Sequence, residues 1–340
     1  MEDFFMCENI EKTQVVIPRL GQGENLLGAY ALEVTGVTKG RGSLFIHTAG
    51  AVYMLKSFTG SMEKAQGLAQ VLAELKAWDP AVEQILPTQE GAYAVREEGG
   101  PTYVLKSYQP GRECDVKNAF EVLEGARKLA DLHLQLETIE TDKKEVFFAP
   151  QHLLAEEVRR HNRELKNLRN YIRKKKKKTG FEDLYEQAYG TFYGQGEQVE
   201  EEILSLKEEL QLCHGDYHHH NVLDCSGTSH IQHFESMRMD SAMSDLAKYT
   251  RKALEKNRWN AELGRQMLMT YQRVRPFRMG ELQQLYLRLL YPEKFWKIAN
   301  HYNNNKKTWS SKRDGDKLRQ ILAQEKARQE FLVLLYNLAE

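Results

Sequence analysis

Strand-like and helix-like segments are separated along this chain, and that separation is what most restricts its fold. Residues 28–58 contain three short β-rich runs broken by glycine turns, a pattern that predicts hairpins. One amphipathic helix over 61–78 and two further strand-like runs follow. After "QPGRE" (109–113) the pattern becomes mostly helical. We therefore expect an α+β protein with a β-rich N-lobe, residues 1–107, and a large helical C-lobe, residues 108–340.

The composition excludes several classes of protein. The chain has 48 basic and 48 acidic residues, so no net field attracts it to nucleic acid or to a membrane surface. Its first twenty residues contain no apolar run of signal-peptide length, and no segment has the ~20 apolar residues of a membrane span. The four cysteines form no CxxC pair. We expect a soluble intracellular protein with no nucleic-acid partner and no membrane insertion.

The segment "CHGDYHHHNVL" (213–223) interrupts the helical part of the chain and carries a chemical pattern. H-G-D-x-x-x-x-N is typical of the catalytic loop of phosphotransferases. In that loop the aspartate accepts the proton of an attacking hydroxyl, and the asparagine holds a metal bound to the phosphates. Here the two residues are Asp216 and Asn221. The apolar pair after Asn221 begins a predicted short β-hairpin that ends in "HFE".

Together with other segments, this loop resembles a known family. The chain resembles the aminoglycoside/choline phosphotransferase-like branch of the protein-kinase fold, and within it the CotS-type spore coat proteins of endospore-forming Firmicutes. The resembling segments are "LCHGDYHHHNVL", "HFESMRMDSAMSDLAKYTRKALEKNRWN", "YVLKSYQPGRE", "ARKLADLH" and "YPEKFWKIANHYNNNKKTW". The resemblance implies a bilobal, protein-kinase-like fold. It also implies synthesis in the cytoplasm of a sporulating cell, recruitment to the spore coat, and other coat proteins as partners.

The resemblance assigns a role to Lys56 in "YMLKSF". It corresponds to the third-strand lysine that contacts the α- and β-phosphates of ATP and pairs with a glutamate on the next helix. A solvated lysine at a strand end is the alternative. At the matching helix positions this chain has Gln66 or Gln70, with Glu74 near the helix end. Because glutamine cannot form the ion pair, we expect a weakened lysine clamp.

Two other elements of the family pattern are altered. The family's Asp-Phe/Trp-Asp/Glu triplet is "HFE" here, so His233 replaces the first acid and Glu235 remains. A neutral imidazole is a poor ligand for Mg²⁺, which prefers oxygen ligands. Gly40 and Gly42 in "TKGRGS" could cover a nucleotide, but the pattern is not GxGxxG and also fits a plain hairpin turn. The candidate residues are Asp216 for catalysis, Lys56, Gly40 and Gly42 for nucleotide binding, and Asn221, Glu235 and His233 for metal binding.

Asp245 and His133 complete the resemblance. Asp245 in "SDLAKY" corresponds to the aspartate that holds the catalytic loop from the next helix, although a helix N-cap explains it almost as well. His133 in "LADLH" matches a family position that packs under the loop, and we expect a core histidine there.

Six of the eleven histidines lie between 214 and 233, which raises the alternative of a transition-metal site. The predicted loop and hairpin do not provide the i, i+4 spacing of a helical metal site, and no complete ligand set is recognisable. We expect His218, His219 and His220 to fill the variable positions of the loop instead. Similarly, we expect the run "RKKKKK" (173–178) to be a solvated helix end rather than an anion-binding patch.

Three functional hypotheses follow from these patterns. The first is a CotS-type coat protein in which an altered kinase fold, a pseudokinase, serves in assembly or binding. The second is an active phosphotransferase that uses ATP with Mg or Mn to modify a small-molecule or protein hydroxyl. The third is a histidine-dependent metal-binding protein. Loss of the first triplet acid favours the first hypothesis, and the presence of both Asp216 and Asn221 supports the second.

Overall fold

The computed structural model describes residues 24–40, 42–140, 144–149, 153–206, 209–225, 228–305 and 308–339. Their contacts group into two compact units that are not continuous in sequence. The first unit comprises the described residues up to Gly111, Ile139–Val146 and Gln232–Glu235, and the second comprises Arg112–Thr138, Phe147–Ile231 and the rest from Ser236. The predicted division at residues 107 and 108 stays a prediction, because compact contact units are not the same as folding domains.

A five-stranded antiparallel sheet forms the centre of the first unit. Its strands, in spatial order, are β1 (Gly36–Gly40), β2 (Ser43–His47), β3 (Val52–Phe58), β5 (Thr102–Ser107) and β4 (Val95–Arg96). The helices of this unit are α1 (Glu24–Leu27) and α2 (Met62–Leu75). Ser61 caps α2, since its side chain accepts a hydrogen bond from the Lys64 amide. The sequence predicted this order of three strands, a helix and two strands.

The register of β3 and β5 decides which side chains share a face of the sheet. Leu55 lies opposite Leu105, and both pack in a buried apolar cluster with Ile46. Since side chains alternate along a strand, Lys56 and Lys106 are on the other face. On that face Lys106 lies opposite Met54, and Lys56 is two residues further along β3. Two lysines from neighbouring strands are therefore placed side by side.

The second unit is mainly helical. Its helices are α3 (Ala119–Thr138), α4 (Leu154–Arg173), α5 (Gly180–Ile203), α6 (Ala242–Lys256), α7 (Ala261–Val274), α8 (Glu281–Leu290), α9 (Glu293–Asn304) and α10 (Thr308–Ala339). Two small sheets hold the connecting segments. One pairs β6 (Arg112–Glu113) with β8 (Val222–Cys225) and β8 with β9 (Thr228–Ile231), and the other pairs β7 (Gln211–Cys213) with β10 (Arg238–Asp240).

A stack of aromatic rings forms part of the core of the second unit. The Phe295 ring lies 5.1 Å from that of Tyr185 and 4.7 Å from that of Phe192, measured between ring centroids. All three side chains are buried. Helices α5 and α9 are therefore joined by an apolar contact whose energy depends on the size of these rings.

The lysine run follows the end of α4. Lys175 pairs with the buried Glu182, whose position three residues after Thr179 completes the capping box of α5. Lys174, Lys176 and Lys178 are exposed. This exposure agrees with the expected solvated helix end. Within the described residues, no helix combines the length and apolar character that crossing a membrane requires.

We predict that Phe295→Ala lowers the free energy of unfolding by about 3–5 kcal/mol, because it leaves a cavity among stacked rings. Urea unfolding followed by circular dichroism measures this change. Phe120→Ala is the matched control: Phe120 is 70% exposed on α3, and its removal should change stability by less than about 0.5 kcal/mol. Equal losses in the two variants would contradict this assignment of the core.

Candidate active site

The "CHGDYHHHN" segment forms a loop that leaves β7 at Cys213 and reaches β8 through a 3₁₀ turn, His219–Asn221. Gly215 has a φ of +80°, a conformation that L side chains rarely adopt. A Cβ atom at this position would also collide with the carbonyl oxygen of Ser236. The glycine of the motif is thus required both by its backbone conformation and by this close approach.

Asp245, on the first turn of α6, holds the start of the loop. Its Oδ2 accepts a hydrogen bond from the His214 amide at 2.7 Å, and its Oδ1 accepts one from the Gly215 amide at 2.9 Å. The side chain that caps α6 is Ser241. The role implied by the resemblance therefore describes Asp245 better than the N-cap alternative does.

Burial alone would raise the pKa of Asp245, but the hydrogen bond and the charge of His133 lower it to about 2. The His133 Nε2 lies 3.5 Å from Asp245 Oδ2, and its Nδ1 is 2.7 Å from the Tyr271 hydroxyl. His133 is fully buried, as expected for a core histidine.

Asp216 and Asn221 are brought together within the loop. The Asn221 side-chain amide donates to the carbonyl oxygen of Asp216 at 2.9 Å. The Asp216 carboxylate lies 3.3 Å from Lys248 Nζ and 3.3 Å from His218 Nε2. Burial would raise the pKa of Asp216, but the hydrogen bond from His218 and the charges of Lys248 and Lys252 bring it well below its usual value. Asp216 is thus an ionised, partly exposed carboxylate.

The histidine run fills the variable positions of the loop. His219 is buried, and burial together with its histidine neighbours lowers its pKa to about 4. His220 contacts Glu113 through its Nδ1. In the part of the chain that the structure describes, the one group of three metal-ligating side chains with mutually close ligand atoms is His133, Cys213 and Asp245.

That buried group is better explained as part of the core. Burial raises the pKa of Cys213 well above its usual value, so its sulfur remains a thiol rather than the thiolate that binds metals. The carboxylate of Asp245 is already used by two loop amides. The hypothesis of a histidine-dependent metal-binding protein therefore finds no support among the described residues.

The first unit contains a charged group that we call the Lys106 cluster. Its members are Lys56 on β3, Lys106 on β5, Glu83 in the loop after α2, and His233 and Glu235 of the triplet. Lys106 Nζ donates to Glu83 Oε2 at 2.8 Å, to His233 Nδ1 at 3.2 Å and to Glu235 Oε1. Lys56 Nζ lies 3.0 Å from His233 Nδ1 and 3.3 Å from Glu235 Oε2.

The charges in this cluster stabilise one another. Burial would raise the pKa of Glu235, but the positive charges of Lys106 and Lys56 hold it well below the usual value. Burial would lower the pKa of Lys106, but the carboxylates of Glu83 and Glu235 raise it above the usual 10.5. Both partners are therefore charged, and the ion pairs account for their burial.

His233 has an unusual backbone conformation. Its φ is +70°, which for a non-glycine residue costs roughly 1–2 kcal/mol. Such strain persists where the surrounding contacts hold the segment, and it is often found at functional sites. Here the Phe234 amide donates to Glu83 Oε1 at 2.9 Å, and the two lysines bind the imidazole. The triplet is therefore held by the same cluster that neutralises its acid.

The sequence predicted a weakened pairing of Lys56 with α2, and the structure shows which residues Lys56 contacts instead. Its contacts are with His233 and Glu235, rather than with a side chain of α2. Lys106 and Glu83 were missed. A signal existed, because Lys106 lies in the apolar strand "YVLKSY" beside Val104 and Leu105, and a buried lysine requires a buried acid.

The glycines of the first turn have structural explanations. Gly40 pairs with Ser43 across the hairpin between β1 and β2, and Gly42 has a φ of +75°. A Cβ atom on Gly40 would collide with the ring of Phe45. These features agree with a plain hairpin turn, and nucleotide binding by Gly40 and Gly42 stays a prediction.

The triplet does not fit a divalent cation as it is arranged. Mg²⁺ requires oxygen ligands at about 2.0–2.1 Å. Both oxygens of Glu235 are bound by ammonium groups, and the same two lysines share the single lone pair of His233 Nδ1. A metal ion at this triplet would have to displace both lysines. Metal binding by Glu235, His233 and Asn221 therefore stays a prediction.

The sheet of the first unit and the loop of the second define a kinase-like phosphotransferase fold, and solved structures agree. The chain is similar to an aminoglycoside phosphotransferase from Alicyclobacillus acidocaldarius, with a TM-score of 0.77 and 18% identity over 92% of this chain and 95% of that one. It is also similar to the AMP-bound spectinomycin phosphotransferase APH(9)-Ia, with a TM-score of 0.64 and 12% identity over 89% and 96% of the two chains. The amicoumacin kinase hAmiN, solved with AMP-PNP and Ca²⁺, gives 0.62 and 13% over 89% and 92%.

The family is established by sequence. The family described as "Spore coat putative kinase YutH" matches residues 23–335, and the chain belongs to it. No curated protein matches the chain. The expected α+β, protein-kinase-like fold and the resemblance to spore coat proteins of the CotS type are thus confirmed.

We predict that Asp245→Asn destabilises the protein and changes its pH dependence. The native pKa of about 2 is lower than the ordinary 3.8, so the ionised form stabilises the fold above pH 3.8. This contribution, about 2 kcal/mol, is lost as the pH falls from 3.8 to 2. Urea unfolding between neutral and acidic pH measures it. The variant should lose stability at neutral pH and should lack this part of the acid-induced decrease.

Asp316→Asn is the control for this experiment. Asp316 is an exposed aspartate whose side-chain contact is with Arg319 on the same helix. We expect its pH profile to match that of the wild type. If Asp245→Asn also keeps the wild-type profile, Asp245 does not hold the loop as an ionised carboxylate.

Proposed function

We propose that this protein acts in the spore coat as a binding and assembly module with a kinase fold, a pseudokinase with little or no phosphotransferase activity. The spore coat family to which the chain belongs supports the coat assignment. In this proposal the chain is made in the cytoplasm of the sporulating cell, and its partners are other coat proteins. The Lys106 cluster is the observation that supports the proposed loss of phosphotransferase activity.

Phosphoryl transfer in this fold depends on negative charge that holds a metal ion against the nucleotide phosphates. In this chain His233 replaces the first acid of the triplet. The remaining acid, Glu235, is neutralised by Lys106 and Lys56. Lys56, which corresponds to the phosphate-binding lysine, is also engaged by this acid. Both a metal ligand and a phosphate contact are therefore weakened by the same contacts.

An active phosphotransferase is the second candidate, and the catalytic loop favours it. Asp216 is ionised, Asn221 is bound to it, and Asp245 and Gly215 hold the loop. In this role Asp216 would accept the proton of a hydroxyl on a small molecule or protein. Two of the similar structures were solved with AMP or with AMP-PNP and Ca²⁺, which supports ATP with Mg or Mn as the expected ligands.

We predict that the wild type transfers phosphate from ATP no faster than Asp216→Ala does, because Lys106 and Lys56 neutralise Glu235, the acid that remains in the triplet. Calorimetric titration of ATP with and without Mg²⁺ or Mn²⁺, on wild type and Lys56→Ala, measures nucleotide binding in parallel. Metal-dependent binding that is lost in Lys56→Ala, with turnover that falls ~10²–10⁴-fold in Asp216→Ala, would instead establish the phosphotransferase.

We also predict that Asp216→Ala enters the coat as the wild type does, because assembly depends on surfaces of the folded chain. Immunoblotting of coat extracts from purified spores measures the incorporated protein. Phe295→Ala serves as a comparison, since we expect its reduced stability to lower incorporation. Loss of incorporation on Asp216→Ala, with unchanged unfolding free energy, would refute the binding-module proposal.

A further inference from the structure

We propose that Lys106 is an internal cation that replaces a divalent metal ion at the triplet: it positions Glu235 and His233 and neutralises the acid, so that the triplet is assembled without metal. This inference rests on the proposed function and explains how the triplet remains ordered in a protein that does not use a metal there. Lys106 is a positioning residue, since it acts through the triplet.

The number of donors matches the number of acceptors. An ammonium group has three N–H donors and no acceptor. Lys106 Nζ is within hydrogen-bonding reach of three acceptor atoms: Glu83 Oε2 at 2.8 Å, His233 Nδ1 at 3.2 Å and Glu235 Oε1. Each N–H therefore has an acceptor within reach, although Lys56 Nζ, at 3.0 Å, shares the single lone pair of His233 Nδ1. The ammonium is thus surrounded by ligands as a bound cation would be.

Because Lys106 is buried, its ammonium group requires these hydrogen bonds and ion pairs. The side chains of Lys106 and Glu83 are 2% and 4% exposed, and that of Glu235 is 13% exposed. A charge in such surroundings is tolerated only when it is paired and its hydrogen bonds are made. Removing the ammonium would leave two buried carboxylates without their main compensating charge.

Lys56 has a different position in the same cluster. Its side chain is 28% exposed and approaches His233 Nδ1 and Glu235 Oε2. It does not share the contact with Glu83 that the structure gives to Lys106. Lys106 is thus the inner cation and Lys56 the outer one, which makes Lys56 a matched control.

The backbone around Lys106 explains why Glu83 joins the cluster. An isolated bridge pairs Ile85 with Lys106, and the Ser107 amide donates to the Gln84 carbonyl at 2.8 Å. These contacts hold the loop after α2 against β5. Glu83 can then bind Lys106 with one oxygen and the Phe234 amide with the other. One carboxylate thereby connects the inner lysine to the triplet.

The acceptors around Lys106 are also a metal-ligand set of two carboxylate oxygens and one imidazole nitrogen, which suits Mn²⁺ or Zn²⁺. With Lys106 present, these atoms lie at hydrogen-bonding distance from its Nζ, and His233 Nδ1 is 3.8 Å from Glu235 Oε1. Among the described residues they are not a group whose ligand atoms all lie within 4.8 Å of one another. Removing the amine should let them contract around a divalent cation at metal-ligand distances of about 2.0–2.2 Å.

The test compares Mn²⁺ binding in wild type, Lys106→Ala and Lys56→Ala, all without nucleotide. We expect Lys106→Ala to be less thermally stable than the wild type, and Mn²⁺ to raise its Tm by about 4 °C or more. Wild type and Lys56→Ala should not respond, because Lys106 still occupies the acceptors. Adding Glu83→Gln to Lys106→Ala should abolish the response. A folded Lys106→Ala variant that ignores Mn²⁺, or an equal response of Lys56→Ala, would overturn the inference.

A second measurement does not depend on the folding of any Lys106 variant. Electron paramagnetic resonance of free Mn²⁺ reports its binding to the wild type and to Glu235→Gln. Equal binding by the two supports the inference. Wild-type Mn²⁺ binding that is lost in Glu235→Gln would refute it, because the triplet would then be a metal site with Lys106 in place.

The two proposals fail in different ways. ATP turnover by the wild type that requires Asp216 would refute the proposed function. The inference about Lys106 would still hold in that case, provided that Mn²⁺ binds without nucleotide only when Lys106 has been removed. Binding of Mn²⁺ through Glu235 in a wild type that has no turnover would refute the role of Lys106 alone.

Discussion

The ion pairs of Lys106 with Glu83 and Glu235 are the interaction on which the chemistry of the first unit depends. They join a central strand, the loop after α2 and a segment 129 residues further along the chain. Because a buried ammonium must be compensated, the triplet can adopt its place only with its acid turned to the lysine. His233, between these partners, has a positive φ, and its own side chain and the following amide are both bound to the cluster.

The second unit also contains a buried charge, the Asp245 carboxylate, which holds a loop. Asp245 binds two amides of the loop and holds Gly215 where no other residue fits. In the same loop, His218, Lys248 and Lys252 keep Asp216 ionised, and the Asn221 side chain binds its carbonyl oxygen. The loop of the second unit thus has an ionised carboxylate, whereas the acid of the triplet in the first unit is paired with two lysines. This combination is the basis of our proposal that the kinase fold is retained for binding and assembly.

Local patterns were sufficient to predict much of the fold and half of the site. Glycine turns, alternating strands and helical periodicity predicted the order of the elements, since each depends on neighbouring residues. The motif predicted Asp216 and Asn221 because they are five residues apart, and the family resemblance predicted that Asp245 holds the loop. Glutamines at the matching positions of α2 predicted a weakened lysine clamp, but the contacts of Lys56 with His233 and Glu235 were not predicted. A resemblance of motifs could not predict these contacts, because Lys56 is far from His233 and Glu235 along the chain.

The sequence by itself determined the kinase-like order of strands and helices, the catalytic loop and the histidine that removes a negative charge from the triplet. These properties depend on residue identity and on local spacing. Only the tertiary structure decided what Glu235 binds and why Lys106 is buried. Ion pairing depends on distances through space, and the register of β3 and β5 together with the loop at Glu83 sets those distances. No pattern in the sequence relates residues so far apart along the chain.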